Sequence, residues 1–288
     1  PKQLGAHFQE EWAKLRTQRD QAEYQQMLSA IREARWEAGH GSNETAQLAL
    51  GQEWPKITGA DIRTGLKAIS NNTALGIDQW GPKLLKLLPD DALEELAEVL
   101  NRVEQNLAWP SHTLYNIIVL MGKPGGGTRP IALMPMIYRI WTKIRKPFMT
   151  EWESSSVGNW DAAIKGSSAL RAALLSQIHD EIALYSDKER GAILFDMAKF
   201  YDNIDICILV KEAIGCGYPA IAIALGMQMH MAIRGLKAYN THPGQIVPTN
   251  GIIAGCTQST YYSKVYIGKI MDHYYHQWCH EQMIHERH

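Results

Sequence analysis

Asn116-Ile-Ile-Val-Leu-Met-Gly122-Lys123-Pro-Gly-Gly-Gly-Thr128-Arg129-Pro-Ile-Ala-Leu-Met134 is the stretch on which the fold turns. Two short apolar runs, Asn116–Met121 and Arg129–Met134, flank the link Lys123-Pro-Gly-Gly-Gly-Thr128. Runs of that length around a glycine-rich turn predict an antiparallel hairpin with a flexible tip. The link does not match GxxxxGK[ST], so it is not a nucleoside-triphosphatase P-loop. Its cations could still clamp a triphosphate, Lys123 as a point charge and Arg129 as a planar fork. The plainer reading is a hairpin with two exposed charges.

The surrounding charge is strongly segregated. From residue 105 to residue 150 there is no acid, while Lys123, Arg129, Arg139, Lys143, Arg145 and Lys146 all fall inside. Just before it come Asp90, Asp91, Glu94, Glu95, Glu98 and Glu104. Such blocks make either one phosphate-attracting surface or two oppositely charged faces paired with each other. They also cancel. Lys+Arg 29 against Asp+Glu 30 gives a net charge of -1, which excludes a uniformly basic nucleic-acid binder and an acidic disordered tail.

Farther out, the pattern is mainly helical. Helices are predicted over residues 1–38, 60–70, 90–107, 135–150, 167–185, 204–215 and from 258 onward. In the clearest, Asp90 stands as N-cap and Leu93, Leu96, Leu100, Val103 and Leu107 recur every three or four residues. Short strands are expected at 192–196 and 246–253. Strands and helices mix without regular alternation, so the fold class is α+β, helix-rich with a small antiparallel sheet. With 288 residues, 45% of them hydrophobic, the chain can bury a sizeable core. Cys207, Cys216, Cys256 and Cys279 form no CxxC pair, which suggests a reducing, intracellular setting, cytoplasm or nucleus. No apolar run approaches the roughly 20 residues that span a bilayer, and no secretory signal opens the chain. Its first residue is Pro1 rather than Met, as expected of a piece of a longer protein.

Two further stretches carry chemistry. In Ala192-Ile-Leu-Phe-Asp196-Met-Ala-Lys-Phe-Tyr201-Asp202-Asn-Ile204 an apolar strand ends on a carboxylate, followed five positions later by an aromatic residue. A strand-end carboxylate suits Mg²⁺ shared with substrate phosphates, or it caps a turn. Asp202 and Asp205 read as capping or solvated residues. In Asn250-Gly251-Ile-Ile-Ala254-Gly255-Cys256-Thr-Gln-Ser259 the glycines permit a close backbone approach or a sharp turn into a helix. Trp141, Trp160 and Tyr138 could stack on bases or sit in the core. His276, Cys279 and His280 have no spacing that fits a zinc finger.

Taken in order, these elements resemble the reverse transcriptase family, most closely its non-long-terminal-repeat retrotransposon branch. Ala74-Leu-Gly76-Ile-Asp78 with Pro82, Leu84, Leu85 and Leu88-Pro89 resembles the element upstream of the fingers, and Gly166-Ser167-Ser168 the step before the next helix. The resemblance covers residues 59–270. It implies a partial right-hand polymerase: an N-terminal helical extension at 1–58, fingers at 59–190 and a partial palm at 191–288. It implies Asp196 as catalytic carboxylate and metal ligand, Tyr201 as the steric gate under the incoming sugar, Lys123 and Arg129 at the triphosphate, and Gly255 beside the nascent pair. The partners implied are an RNA template, a DNA primer and dNTP, with no membrane. The cofactors implied are two Mg²⁺ ions, which would stabilise the attacking and leaving oxygens. Three departures stand out. Ala254 replaces the family's Gln, Thr257 its Pro, and no F/Y-x-Asp-Asp hairpin follows Ser259. The fragment is therefore expected to be inactive by itself. The alternative is a non-catalytic, RNA-binding scaffold of the same fold.

Overall fold

A computed structural model describes residues 54–285 apart from 157, 159, 165, 192–195, 239 and 240, together with residues 6, 10, 22, 25 and 26, which are helical. The helix expected over 1–38 and the strand expected over 192–196 lie almost wholly outside the described residues.

The hairpin forms as the sequence predicts. β1 (Tyr115–Gly122) pairs antiparallel with β2 (Thr128–Leu133), Ile117 opposite Leu133 and Gly122 opposite Thr128. The sheet is larger than the hairpin, however. β3 (Ile233–Ala238) lies parallel to β1, and β4 (Thr241–Ile246) pairs antiparallel with β3, giving the order β2-β1-β3-β4. The sheet is thus mixed rather than antiparallel. More than a hundred residues of mostly helical chain separate β1 from β3, and a crossover of that kind can return the chain in its original direction. The sheet takes two strands from each of the stretches 59–190 and 191–288.

Helices cover this sheet and each other. α1 (Gly59–Lys67) starts at a capping box in which Thr58 and Asp61 satisfy each other's backbone N–H groups. α2 (Pro82–Leu85) is a single turn. α3 (Asp90–Asn106) buries Leu93, Ala97, Leu100 and Val103 and packs on α1. Pro89, not Asp90, is its N-cap: Pro89 is extended and Asp90 is the first helical residue, its carboxylate paired with Arg63 of α1. α4 (Met136–Ser156) carries Tyr138 and Trp141, both fully buried, each in an edge contact with Trp109 and tilted against the other. Both rings therefore belong to the core, and Trp160 donates to Asp272 (2.6 Å).

A buried ion pair crosses this core. The Glu104 carboxylate accepts from Arg145 Nε and Nη2 and from Trp141 Nε1, each at 2.7 Å. Arg145 also donates to Pro55 O (2.8 Å) and stacks over Trp54, 5.0 Å from its centroid. Another lock sits at the β2–α4 junction. Asp78 accepts from the amides of Met136 and Ile137, capping α4 from a distant loop. Burial pushes its carboxyl above the usual range, and those two amides oppose the shift.

The remaining helices are α5 (Ala169–Tyr185), α6 (Phe200–Asn203), α7 (Ile206–Gly215), α8 (Ala220–His230) and α9 (Ser259–His285). Asp205 caps α7 through the amides of Cys207 and Ile208, as its capping reading predicts. α5 differs from expectation. Leu170, Leu174, Ile178 and Ile182 repeat every four residues, yet none of its residues is buried among the described parts. No helix among the described residues is long and apolar enough to cross a membrane.

Candidate functional site

The glycine link closes into a tight tip. Lys123 N donates to Gly127 O (3.1 Å) and Gly126 N to Lys123 O (3.1 Å). Gly126 (φ 90°) and Gly127 (φ 83°) occupy the left-handed region that side chains disfavour. Lys123 and Arg129 are exposed there. Two other cations of the acid-free block are engaged elsewhere. Arg145 is buried against Glu104, and Arg139 donates to Ala74 O (2.7 Å). Of the two arrangements weighed for the charge blocks, the Arg145–Glu104 pair is an instance of the second, a basic-block residue paired with an acidic-block one.

Tyr201 lies on α6, half-buried, its ring 6.1 Å from Phe200. The 250–258 loop is fastened to this turn by backbone groups. Gly251 N donates to Ile204 O (2.9 Å), Ile252 N to Tyr201 O (2.8 Å), and Asn250 Nδ2 to Asp202 O (3.3 Å). At Gly251 φ is 77°, and a Cβ there would meet Asp202 O at 2.8 Å, so only glycine lets the two backbones touch. The loop's other end rides on β2, where Ala132 N donates to Ala254 O (3.1 Å). Gly255 follows at φ 101°, packed on Ile131 and Ala132. Ser259 then opens α9, its hydroxyl donating to Ile253 O.

Backbone bonds thus stitch β2, the 200–204 turn and the 250–258 loop into one seam, with the Tyr201 turn at one end and Gly255 at the other. Arg129 stands three residues up β2 from Ala132, roughly 10 Å along the strand. Asp196 is exposed, directly after residues 192–195. No contact ties it to the seam among the described residues.

The loop is also held from beneath. Arg234 of β3, 1% exposed, donates from Nη2 to Gly251 O (3.2 Å) and His230 O (3.3 Å). His230 Nδ1 accepts from Ile253 N (3.0 Å). Burial, and secondarily the Arg234 charge, push the His230 imidazole down to about 3. The unfolded chain takes up a proton near pH 6.5, whereas the folded one does not until about pH 3. Stability is therefore lost as pH falls through that interval, by about 1 kcal/mol per pH unit. The urea midpoint should drop between pH 7 and pH 5, and the His230 ring signal should stay neutral in NMR. A ring that titrates near pH 6.5 in the folded protein would refute this.

Between the loop and α4 lies a cavity of about 250 Å³, lined by Thr73, Arg139, Lys143, Gly255 and Thr257 among others. Sequence reasoning placed Arg139 and Lys143 in the basic block but assigned them no site. Their i, i+4 spacing on a helix was the available signal.

Among the described residues, no three His, Cys, Asp or Glu side chains gather where a metal ion could sit. Asp196 offers one carboxylate, and paired ions need more oxygen ligands than that. The described donors do not fit a two-metal centre.

A family model described as "Reverse transcriptase (RNA-dependent DNA polymerase)" matches residues 121–286. No curated protein matches the chain. The family match begins within β1 and takes in the hairpin tip, Asp196, Tyr201, the 250–258 loop and α9, more than half of the chain, so the chain belongs to the reverse transcriptase family.

Proposed function

We propose that this chain is part of a retroelement reverse transcriptase of the non-long-terminal-repeat branch, with a helical extension at 1–58, fingers at 59–190 and the first part of a palm at 191–288. The family's reaction is RNA-directed DNA synthesis, in which a primer 3′-OH attacks the α-phosphate of an incoming dNTP and displaces pyrophosphate, and the family generally uses divalent metal ions. Lys123 and Arg129 hold the triphosphate, Tyr201 packs under the sugar, and Gly255 lets backbone approach the nascent pair. Asp196 is the first carboxylate of the reaction centre, with Mg²⁺ as its ion in the intact parent. The observation that carries this reading is the seam, which joins the Tyr201 turn and the Gly255 loop to the strand bearing Arg129. Because the described donors do not fit two ions, this chain is proposed to bind nucleotide and primer–template without joining them.

The test is equilibrium binding of dGTP to the chain. Losing a charge-assisted hydrogen bond is worth about 1.5–3 kcal/mol, so Lys123→Ala and Arg129→Ala should each weaken dGTP by roughly tenfold or more. Unchanged affinity with intact folding would remove both from the site.

A non-catalytic RNA-binding scaffold is the second reading. Ala254 favours it, because it presents a methyl group where the family carries Gln, and its carbonyl is already taken by Ala132 N. Primer extension by a longer parent separates the two readings, since Asp196→Ala should abolish synthesis by an enzyme. No extension by the wild-type parent would support the scaffold, and equal extension by wild type and Asp196→Ala would remove Asp196 from the mechanism.

A further inference from the structure

We propose that Arg234 is a positioning residue for sugar selection: from β3 it sets the height of the Tyr201 turn through the 250–253 loop, without touching nucleotide. This rests on the reading of Tyr201 as the gate. Each link is a close contact. Arg234 Nη2 holds Gly251 O (3.2 Å), while the Gly251 amide holds Ile204 O (2.9 Å) and the Ile252 amide holds Tyr201 O (2.8 Å). The next amide, Ile253 N, is fixed by His230 Nδ1, so the loop cannot slide along its own axis. The gate turn also feels Arg234 directly. Burial pulls the guanidinium down to about 10, and the Asp202 carboxylate, one residue after Tyr201, pulls it back up.

A planar guanidinium suits this task. One side chain reaches two carbonyls and keeps a permanent charge facing Asp202, whereas an ammonium offers a point charge without the fork. Gly251 leaves little slack, because even a Cβ there would lie within 3.0 Å of backbone atoms of Tyr201 and Asp202. A small shift of the loop therefore moves the gate turn with it, and a gate that must distinguish one hydroxyl tolerates little displacement.

The experiment compares binding of dGTP, GTP and inorganic triphosphate to the wild-type chain and to Arg234→Gln, Arg234→Lys and Asp202→Asn. The wild type should prefer dGTP. Arg234→Gln should reduce the dGTP-to-GTP preference by about tenfold, and Arg234→Lys, which retains the charge, should restore part of it. Inorganic triphosphate, held by Lys123 and Arg129 alone, should bind all four proteins equally. Amide exchange at Gly251 and Ile252 should accelerate in both Arg234 variants, with the β1–β2 amides unchanged. An unchanged preference and unchanged loop exchange would overturn the proposal, and so would a uniform acceleration of all amides. If Arg234→Gln does not fold, Asp202→Asn decides, because it removes the gate-side charge from a partly exposed position and should lower the preference too. Tyr201→Ala tests the gate separately. If it leaves the dGTP preference intact, the gate reading fails, while the exchange data still show whether Arg234 holds the turn.

Discussion

Glu104→Ala should destabilise the chain by about 3–5 kcal/mol, enough to leave much of it unfolded at 25 °C. The substitution removes the acceptor for Arg145 Nε, Arg145 Nη2 and Trp141 Nε1 together. Arg145 is 2% exposed and would remain as a buried charge with no carboxylate. An unpaired ion in a dry interior costs far more than a surface pair gains. Replacing both members, Glu104→Leu with Arg145→Met, should recover most of the loss, because apolar groups of similar volume need no partner. Urea titration of the two singles and the double measures it. A single variant as stable as wild type would show that the pair carries no such strength.

Gly76→Ala should cost about 3 kcal/mol or more, at the upper end for overpacking. A Cβ there would sit 2.7 Å from the Met134 carbonyl carbon, 2.9 Å from Pro135 Cα and closer still to the Met134 oxygen. All three are backbone atoms and cannot rotate away. The loop would have to lift, taking Asp78 off the amides of Met136 and Ile137 and baring the start of α4. The same loop engages Arg139 through Ala74 O, so the cavity beside Gly255 should widen with it. Thermal unfolding checks the cost. An unchanged midpoint would mean that the 74–78 loop is not packed as described.

Those two positions show what sequence could and could not reveal. Gly76-x-Asp78 was legible as a motif, but its physical meaning, a close backbone approach and a remote helix cap, depends on residues nearly sixty positions away. The hairpin was legible because two strand-length apolar runs flank a run of glycines. α1 and α3 were legible from their three-to-four spacing, and α3 also from its acid-rich first turn.

The region 216–245 was opaque for opposite reasons. α8, Ala-Ile-Ala-Ile-Ala-Leu-Gly-Met-Gln-Met-His, is buried nearly all round, so it shows no stripe. β4 contains Pro243 and Gly244, which read as a break. The strand expected at 246–253 stops at Ile246. Ile252 and Ile253 are apolar because they are buried, yet their amides serve Tyr201 O and His230 Nδ1 rather than a neighbouring strand. In the site, Tyr201 and Gly255 were visible through their local motifs. Arg234 was not, because nothing near it in sequence announces the carbonyl it holds.

The most direct test of the nucleotide-binding face is photo-crosslinking with dGTP that carries a photoreactive group on its γ-phosphate, followed by peptide mass mapping. Adducts should fall within residues 122–129 and be lost in the Lys123→Ala/Arg129→Ala double variant. Adducts on other segments, undiminished in that variant, would contradict the assignment of the hairpin tip to the triphosphate.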